Sequence, residues 1–423
     1  MYTNSSLHPR GHRELPKAGF TPFGYCGIFS AAPAANPGEQ QGEQQSSHMT
    51  DKTGLWTSTA TMAPRHELRG GRGASAWNVR QWGKRAWGIV CGVAIAIIVV
   101  VAVVAVVESN KARANRYPDY TKLNYSLSDT YSGTSFFDNF EYWNTYDPTN
   151  GFVHYVNAGD AAHYNLTHAT SSSAVVKVDT TVGPGSIPDA STGRFSVRLH
   201  SKKQYETGLF VFDVQHTPYG CATWPALWLT DENHWPQNGE IDVMEATNNA
   251  LKGNMMTLHT SPGCDMDVKR LMTAEAMQVD CQNGTNKNTG CNTMGPSTSY
   301  GQAFNAAGGG LIAMELRTAG IRIWQWNRSS VPRDLAQRDP DPSSWGTALA
   351  DFPSTNCDIG SHFRNQSIIV NIDLCGDLVD PHWNTSGCST DTCSNYVANN
   401  PSAFANAYWQ FGPFMIYQNP KFR

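Results

Sequence analysis

Twenty-one consecutive uncharged residues, WGIVCGVAIAIIVVVAVVAVV (Trp87–Val107), divide this chain of 423 residues. As a helix rising 1.5 Å per residue, such a run spans roughly 31 Å, about the thickness of a bilayer's hydrocarbon core. Its many β-branched residues are no obstacle there, because lipid forces the backbone to bond internally. A cleaved leader fits less well: 86 residues precede the run, which is also longer than a leader's apolar region. A buried core helix fits less well too, since no polar stripe interrupts it. The run is therefore expected to be a transmembrane helix whose partner is the lipid bilayer.

Local charge orients this span only weakly. Arg69, Arg72, Arg80, Lys84 and Arg85 precede it closely, and Lys111, Arg113, Arg116 and Lys122 follow it. Whole segments separate better: residues 1–86 carry 10 Lys+Arg and 5 Asp+Glu, whereas residues 108–423 carry 21 and 30. Eight of the ten cysteines follow the span, an even set that reads as disulfides in an oxidising compartment. Six N-x-S/T sequons lie on the same side, at Asn124, Asn165, Asn283, Asn327, Asn365 and Asn384, and are candidate glycosylation sites. Together these features predict a type II single-pass protein with residues 1–86 as a disordered cytosolic tail. Residues 108–117 are then a short linker, and 118–423 an extracytoplasmic domain at the cell surface or in the secretory lumen. No Cys/His spacing suits a metal, and neither metal nor cofactor is expected. A formal net charge of −4 argues against a nucleic-acid partner, and a monomer is expected.

Beyond residue 118 no stretch sustains a helical period. Short β-prone runs recur instead, among them LFVFDV (209–214), LIAMEL (311–316), IRIWQW (321–326) and IIVNIDL (368–374). The second and third flank a turn at 317–320 and read as a hairpin. Many short strands with Gly- and Pro-rich joints predict an all-β sandwich of antiparallel sheets. The polar stretch 283–299 has cysteines within it and on both sides, so an ordered loop is expected there rather than a domain boundary. Eight cysteines permit 105 pairings; a local Cys388–Cys393 bridge is the expected one.

The chemistry concentrates in TWPALWLTDENHWPQNGEIDVMEATN (223–248), where Glu240, Asp242 and Glu245 follow a turn signal. In a regular strand, 240 and 242 share a face and 245 falls on the other. One bulged residue near Val243–Met244 would restore parity and aim all three acids one way, as bulges beside active sites do. Paired carboxylates of this kind can divide into a proton donor and a nucleophile, because like charges held close push one pKa upward. A solvated acidic strand face is the plainer explanation, and E-x-D-x-x-E arises by chance in roughly one such chain in twenty. Trp224, Trp228 and Trp235 just upstream sharpen the signal, since indole faces suit sugar rings, although each could equally be packed in the core.

WPALW, NGEIDVMEATN and TLHTSPGC (257–264) resemble the laminarinase-type branch of glycoside hydrolase family 16, most of all fungal endo-β-1,3(4)-glucanases. The resemblance covers most of residues 118–423, including DTYSGTSFFDNFEYW (129–143) and AYWQFGPFMIYQ (407–418). It implies a β-jelly roll with a substrate cleft across a concave sheet, a retaining double displacement, and a β-glucan as partner. It further implies that Glu240 is the nucleophile, Asp242 an assisting acid and Glu245 the general acid/base. By the same resemblance Trp224 and Trp228 lie by the cleft, His259 near the cleaved bond, and Trp235 and Trp409 contribute further substrate contacts. Three other readings use the same residues: a glucan transglycosylase, an anchored accessory protein of wall synthesis, and a non-catalytic carbohydrate-binding jelly roll.

Overall fold

The computed structural model describes residues 82–183 and 193–420, so the expected tail lies outside the described residues up to residue 81. One helix, Lys84–Ala114, contains the whole apolar run, and none of its residues is buried. Among the described residues it alone is long and apolar enough to cross a membrane. It continues through residues 108–114, where a linker was expected.

The chain after the helix is tied down. The Lys269 N–H donates to the Ala114 carbonyl at 2.9 Å, and the Thr355 hydroxyl to that of Arg116 at 2.9 Å. Tyr117 donates to Asp351 and Tyr125 to Glu315, each at 3.0 Å. Arg322, itself bonded to Glu315, lies 3.9 Å over the Tyr120 ring. Two carboxylates and one guanidinium shared among three phenols give each of these groups a polar partner, which is what makes the cluster's burial tolerable.

Two large antiparallel sheets follow. The first runs Ala350–Pro353, Gly320–Asn327, Gly310–Arg317, Gly208–His216, Tyr408–Gln418, Ala174–Lys177, Thr167–Ala169, with Ser126–Tyr131 also paired to Tyr408–Gln418. The second runs Glu275–Ala276, Cys291–Met294, Met255–His259, Glu240–Glu245, Thr223–Thr230, Gln366–Leu374, Arg198–Tyr205, Phe140–Tyr142. The expected sandwich is present, and so is the hairpin, with Arg317 opposite Gly320. Phe210, Phe212 and Val214 of the first sheet meet Leu227, Leu229, Ile241, Val370 and Ile372 of the second in one core. LFVFDV lacks polar alternation because Leu209 and Val211, on its other face, are covered by a second cluster with Ala313, Leu335 and Tyr417.

All eight cysteines after the span are paired, as Cys221–Cys388, Cys264–Cys357, Cys281–Cys291 and Cys375–Cys393. The expected Cys388–Cys393 bridge is therefore wrong. Cys393 opens the helix Cys393–Asn399 and meets Cys375 at the end of Gln366–Leu374, whereas Cys388 lies beside the turn that precedes Thr223–Thr230. Nearness in sequence was a poor guide because this loop folds back on two different parts of the sheet. The stretch 283–299 is ordered and clasped by Cys281–Cys291, but it is not all loop: its residues Cys291–Met294 form a strand of the second sheet. Of the six sequon asparagines five are exposed, and Asn283 is half-buried.

Arg194 is wholly buried and pairs with Asp179 at 3.2 Å, spending its other protons on the carbonyls of Val182, Val397 and Ala398. Arg194→Met would take the counter-charge from the Asp179 carboxylate and a donor from four carbonyls, that of Asp179 included, so a loss of about 3–5 kcal/mol is expected in urea unfolding. A loss under 1 kcal/mol would show that water reaches the site.

Candidate active site

The site is built on a bulge. Along Glu240–Glu245, Asp242 pairs with Trp228, yet Met244, two residues later, pairs with Leu227, one residue away. On the other side Asp242 pairs with Thr257 and Glu245 with Met255, so three steps here match two there. Ile241, Val243 and Met244 all enter the core. The inserted residue thus returns Glu245 to the face of Glu240 and Asp242, opposite the core, as the spacing predicted.

Each outer acid is held by an indole. Trp235 Nε1 donates to Glu240 Oε2 at 2.7 Å, and Trp224 Nε1 donates to Glu245 Oε1 at 2.7 Å. One oxygen of each carboxyl is thereby fixed and the other left for chemistry. Burial first, then the Asp242 charge, raises Glu240 to about 7 and Glu245 to about 8. His259 Nε2 lies 3.5 Å from Asp242 Oδ2 and 3.9 Å from Glu240 Oε1. Its Nδ1 bonds the Asn288 amide oxygen at 3.0 Å, which makes Nδ1 a donor. Burial pulls the His259 imidazole down, but Asp242, Glu240 and Glu245 outweigh it and raise it to about 9.

Glu240, Asp242 and His259 offer ligand atoms within 4.8 Å of one another. At neutral pH His259 keeps its proton and stands as a cation between the acids. The other His/Cys/Asp groupings, Cys264–Cys357–His362 and Cys375–Asp380–Cys393, have their sulfurs committed to disulfides.

The remaining expected contacts divide. Trp228 lies on the same face, its Nε1 donating to Asn371 Oδ1 at 2.9 Å. Trp235 is 37% exposed, open to a ligand. Trp409, expected at the substrate, is instead wholly buried and donates to the Asn371 carbonyl at 3.1 Å. It belongs to the core, stacked with Phe411, and cannot touch a sugar. Sequence reading missed Arg198, whose guanidinium lies 4.5 Å from the Trp143 ring and 5.0 Å from that of Trp228, ion-paired to Glu232. It also missed Asn371, although the polar alternation in IIVNIDL does put Asn371 and Asp373 on the face opposite the core. Arg198 carries no comparable signal, since its partners come from two segments distant from it in sequence, at 143 and at 228–232.

A family model described as the XgeA-like catalytic domain of glycoside hydrolase family 16 matches residues 140–417. A probable glycosidase of Schizosaccharomyces pombe is 41% identical over 309 residues, covering 72% of each chain. The endo-1,3(4)-β-glucanase of Emericella nidulans is 36% identical over 70% of this chain, but the match spans only 47% of that protein. Among solved structures, laminarinase 16A of Phanerochaete chrysosporium, holding 6-O-glucosyl-laminaritriose in donor and acceptor sites, is 43% identical with a TM-score of 0.66. An elongating family 16 β-1,3-glucosyltransferase is 34% identical with a TM-score of 0.65. Both matches cover 70% of this chain and the whole of the other.

Proposed function

Since the chain belongs to glycoside hydrolase family 16, in its XgeA-like branch, we propose that it is a membrane-anchored retaining endo-β-glucanase acting on β-1,3- and mixed β-1,3/1,4-linked glucans. The observation that carries this reading is the bulge that gathers Glu240, Asp242 and Glu245 on one face, with an indole on each outer acid. With Oε2 held by Trp235, Glu240 attacks the anomeric carbon through Oε1. Glu245, held at Oε1 by Trp224, delivers its proton from Oε2 to the leaving glycosyl oxygen. The glycosyl–Glu240 ester is then hydrolysed by a water that Glu245 deprotonates. The order of the two carboxyls suits these roles, since the acid must hold its proton at a pH where the nucleophile has lost one. Asp242 and His259 hold a compensated pair of charges beside both. Trp228 supports a sugar ring.

Laminarin, lichenan and a β-1,6-glucan, incubated with the full chain in detergent, separate the linkages by their products. Proton NMR of the first-formed sugar is expected to show the β-anomer; the α-anomer would rule out double displacement.

A second reading has its own support in the likeness to the elongating glucosyltransferase. There a second glucan, not water, takes the glycosyl group from Glu240. Labelled laminari-oligosaccharide acceptors would be built into longer chains under that reading and stay unextended under hydrolysis alone.

The topology proposed is type II, with residues 118–423 outside the cytosol. Four disulfides and five exposed sequon asparagines on that side support it. Endoglycosidase treatment is expected to shift the mass of the full-length protein, and in sealed microsomes added protease is expected to remove the unglycosylated N-terminal side and to spare residues 118–423.

A further inference from the structure

A bulge frees backbone groups that a regular ladder would have used, and when buried they need partners. Here one side chain takes two of them. Asn254 is wholly buried just before Met255–His259. Its Oδ1 accepts the Glu245 N–H at 3.0 Å, and its Nδ2 donates to the Val243 carbonyl at 2.9 Å. The amide therefore spans the inserted residue from one side to the other. Its own main chain is clamped in turn: the Asn254 N–H donates to Ser299 Oγ at 2.8 Å and its carbonyl accepts the Gly295 N–H at 2.8 Å. Gly253, at φ +110°, admits no side chain, because a Cβ would lie 2.3 Å from the Pro296 carbonyl oxygen. The turn is thus pressed against the 295–299 segment so that the amide reaches the bulge.

We propose that Asn254 is the positioning residue that locks the bulge and so keeps the Glu245 carboxyl on the face of Glu240 and Asp242. The proposal rests on the reading of Glu245 as general acid. Only an amide of this length offers an acceptor and a donor in one plane to a backbone N–H and a carbonyl. A carboxylate keeps the first bond and sets an oxygen against the Val243 carbonyl; an isobutyl group satisfies neither. Without the lock, the Glu245 carboxyl keeps only the Trp224 bond, and the bulge can slip to Met244, turning position 245 toward the core.

The test compares two substrates in the full-length protein. Laminarin needs leaving-group protonation, whereas a dinitrophenyl β-laminarioligosaccharide does not. Asn254→Asp and Asn254→Leu are expected to lower kcat on laminarin by about 10²-fold, more for Leu than for Asp, with KM little changed. Both should leave the step that releases dinitrophenolate close to wild type, as is expected of Glu245→Gln. Ser299→Ala, which loosens the clamp without touching the amide, should give the same pattern more weakly. Equal losses on both substrates, in proportion to the folded fraction by circular dichroism, would overturn the proposal and leave Asn254 a packing residue. If Glu245→Gln itself shows no dependence on the leaving group, the assignment of the acid fails, and the proposal falls with it.

Discussion

Glu240→Gln is expected to fold as the parent does and to lose β-glucan hydrolysis by roughly 10³- to 10⁶-fold, the range for removing a nucleophile that acts within a catalytic group. The amide cannot form the glycosyl ester. It can still accept the Trp235 N–H, and its neighbours Ile241 and Thr230 are unaffected, so circular dichroism should match the parent, and melting should match at acid pH and exceed the parent's as pH rises through 7. Reducing-sugar release from laminarin at equal folded concentration is the measurement. Near-normal release would mean that another carboxylate is the nucleophile.

Glu245→Gln is expected to lose roughly 10²–10⁴-fold on glucan, the usual share of a general acid. It should also alter the pH dependence in a defined direction. In the parent, kcat/KM is expected to rise as Glu240 gives up its proton near pH 7 and to fall as Glu245 does so near pH 8. The two limbs belong to the coupled pair and form a narrow bell. The variant has no alkaline limb from position 245. Stability moves oppositely to activity. A buried carboxyl raised from 4.5 to about 8 favours folding fully below pH 4.5, and that contribution is lost as pH rises through 8. Glutamine carries no charge to bury, so the variant should melt above the parent at pH 9, with the gap closing on acidification. A variant that melts below the parent at pH 9 would show that Glu245 is not held against its own ionisation.

The parity argument around Val243 and Met244 was legible because a strand has a period of two, and three acids at 240, 242 and 245 fit one face only with an extra residue. The run at 209–214 and the hairpin at 311–326 were legible instead as short β-prone runs beside turn residues, without help from alternation. Trp409 was not, since a tryptophan that packs and one that binds sugar look alike in sequence, and only its partner, the Asn371 carbonyl, separates them. Asn254 was equally silent: its importance depends on two backbone atoms of another strand. Cys388 was misassigned because local spacing carries no information about a loop that returns to residue 221.

The stapling of residues 114–125 by Lys269, Thr355, Asp351 and Glu315 has a consequence for how far the enzyme can search. A free ten-residue leash would let a domain wander over a root-mean-square distance of about 17 Å. Here that freedom is already spent inside the fold, and the domain rides on its helix as on a short post. With the helix in a bilayer, residues 108–114 raise it only about 10 Å above the apolar layer. Under the topology proposed above, glucan would have to come to the membrane plane to be cut, and chains delivered at that surface would be the accessible substrate.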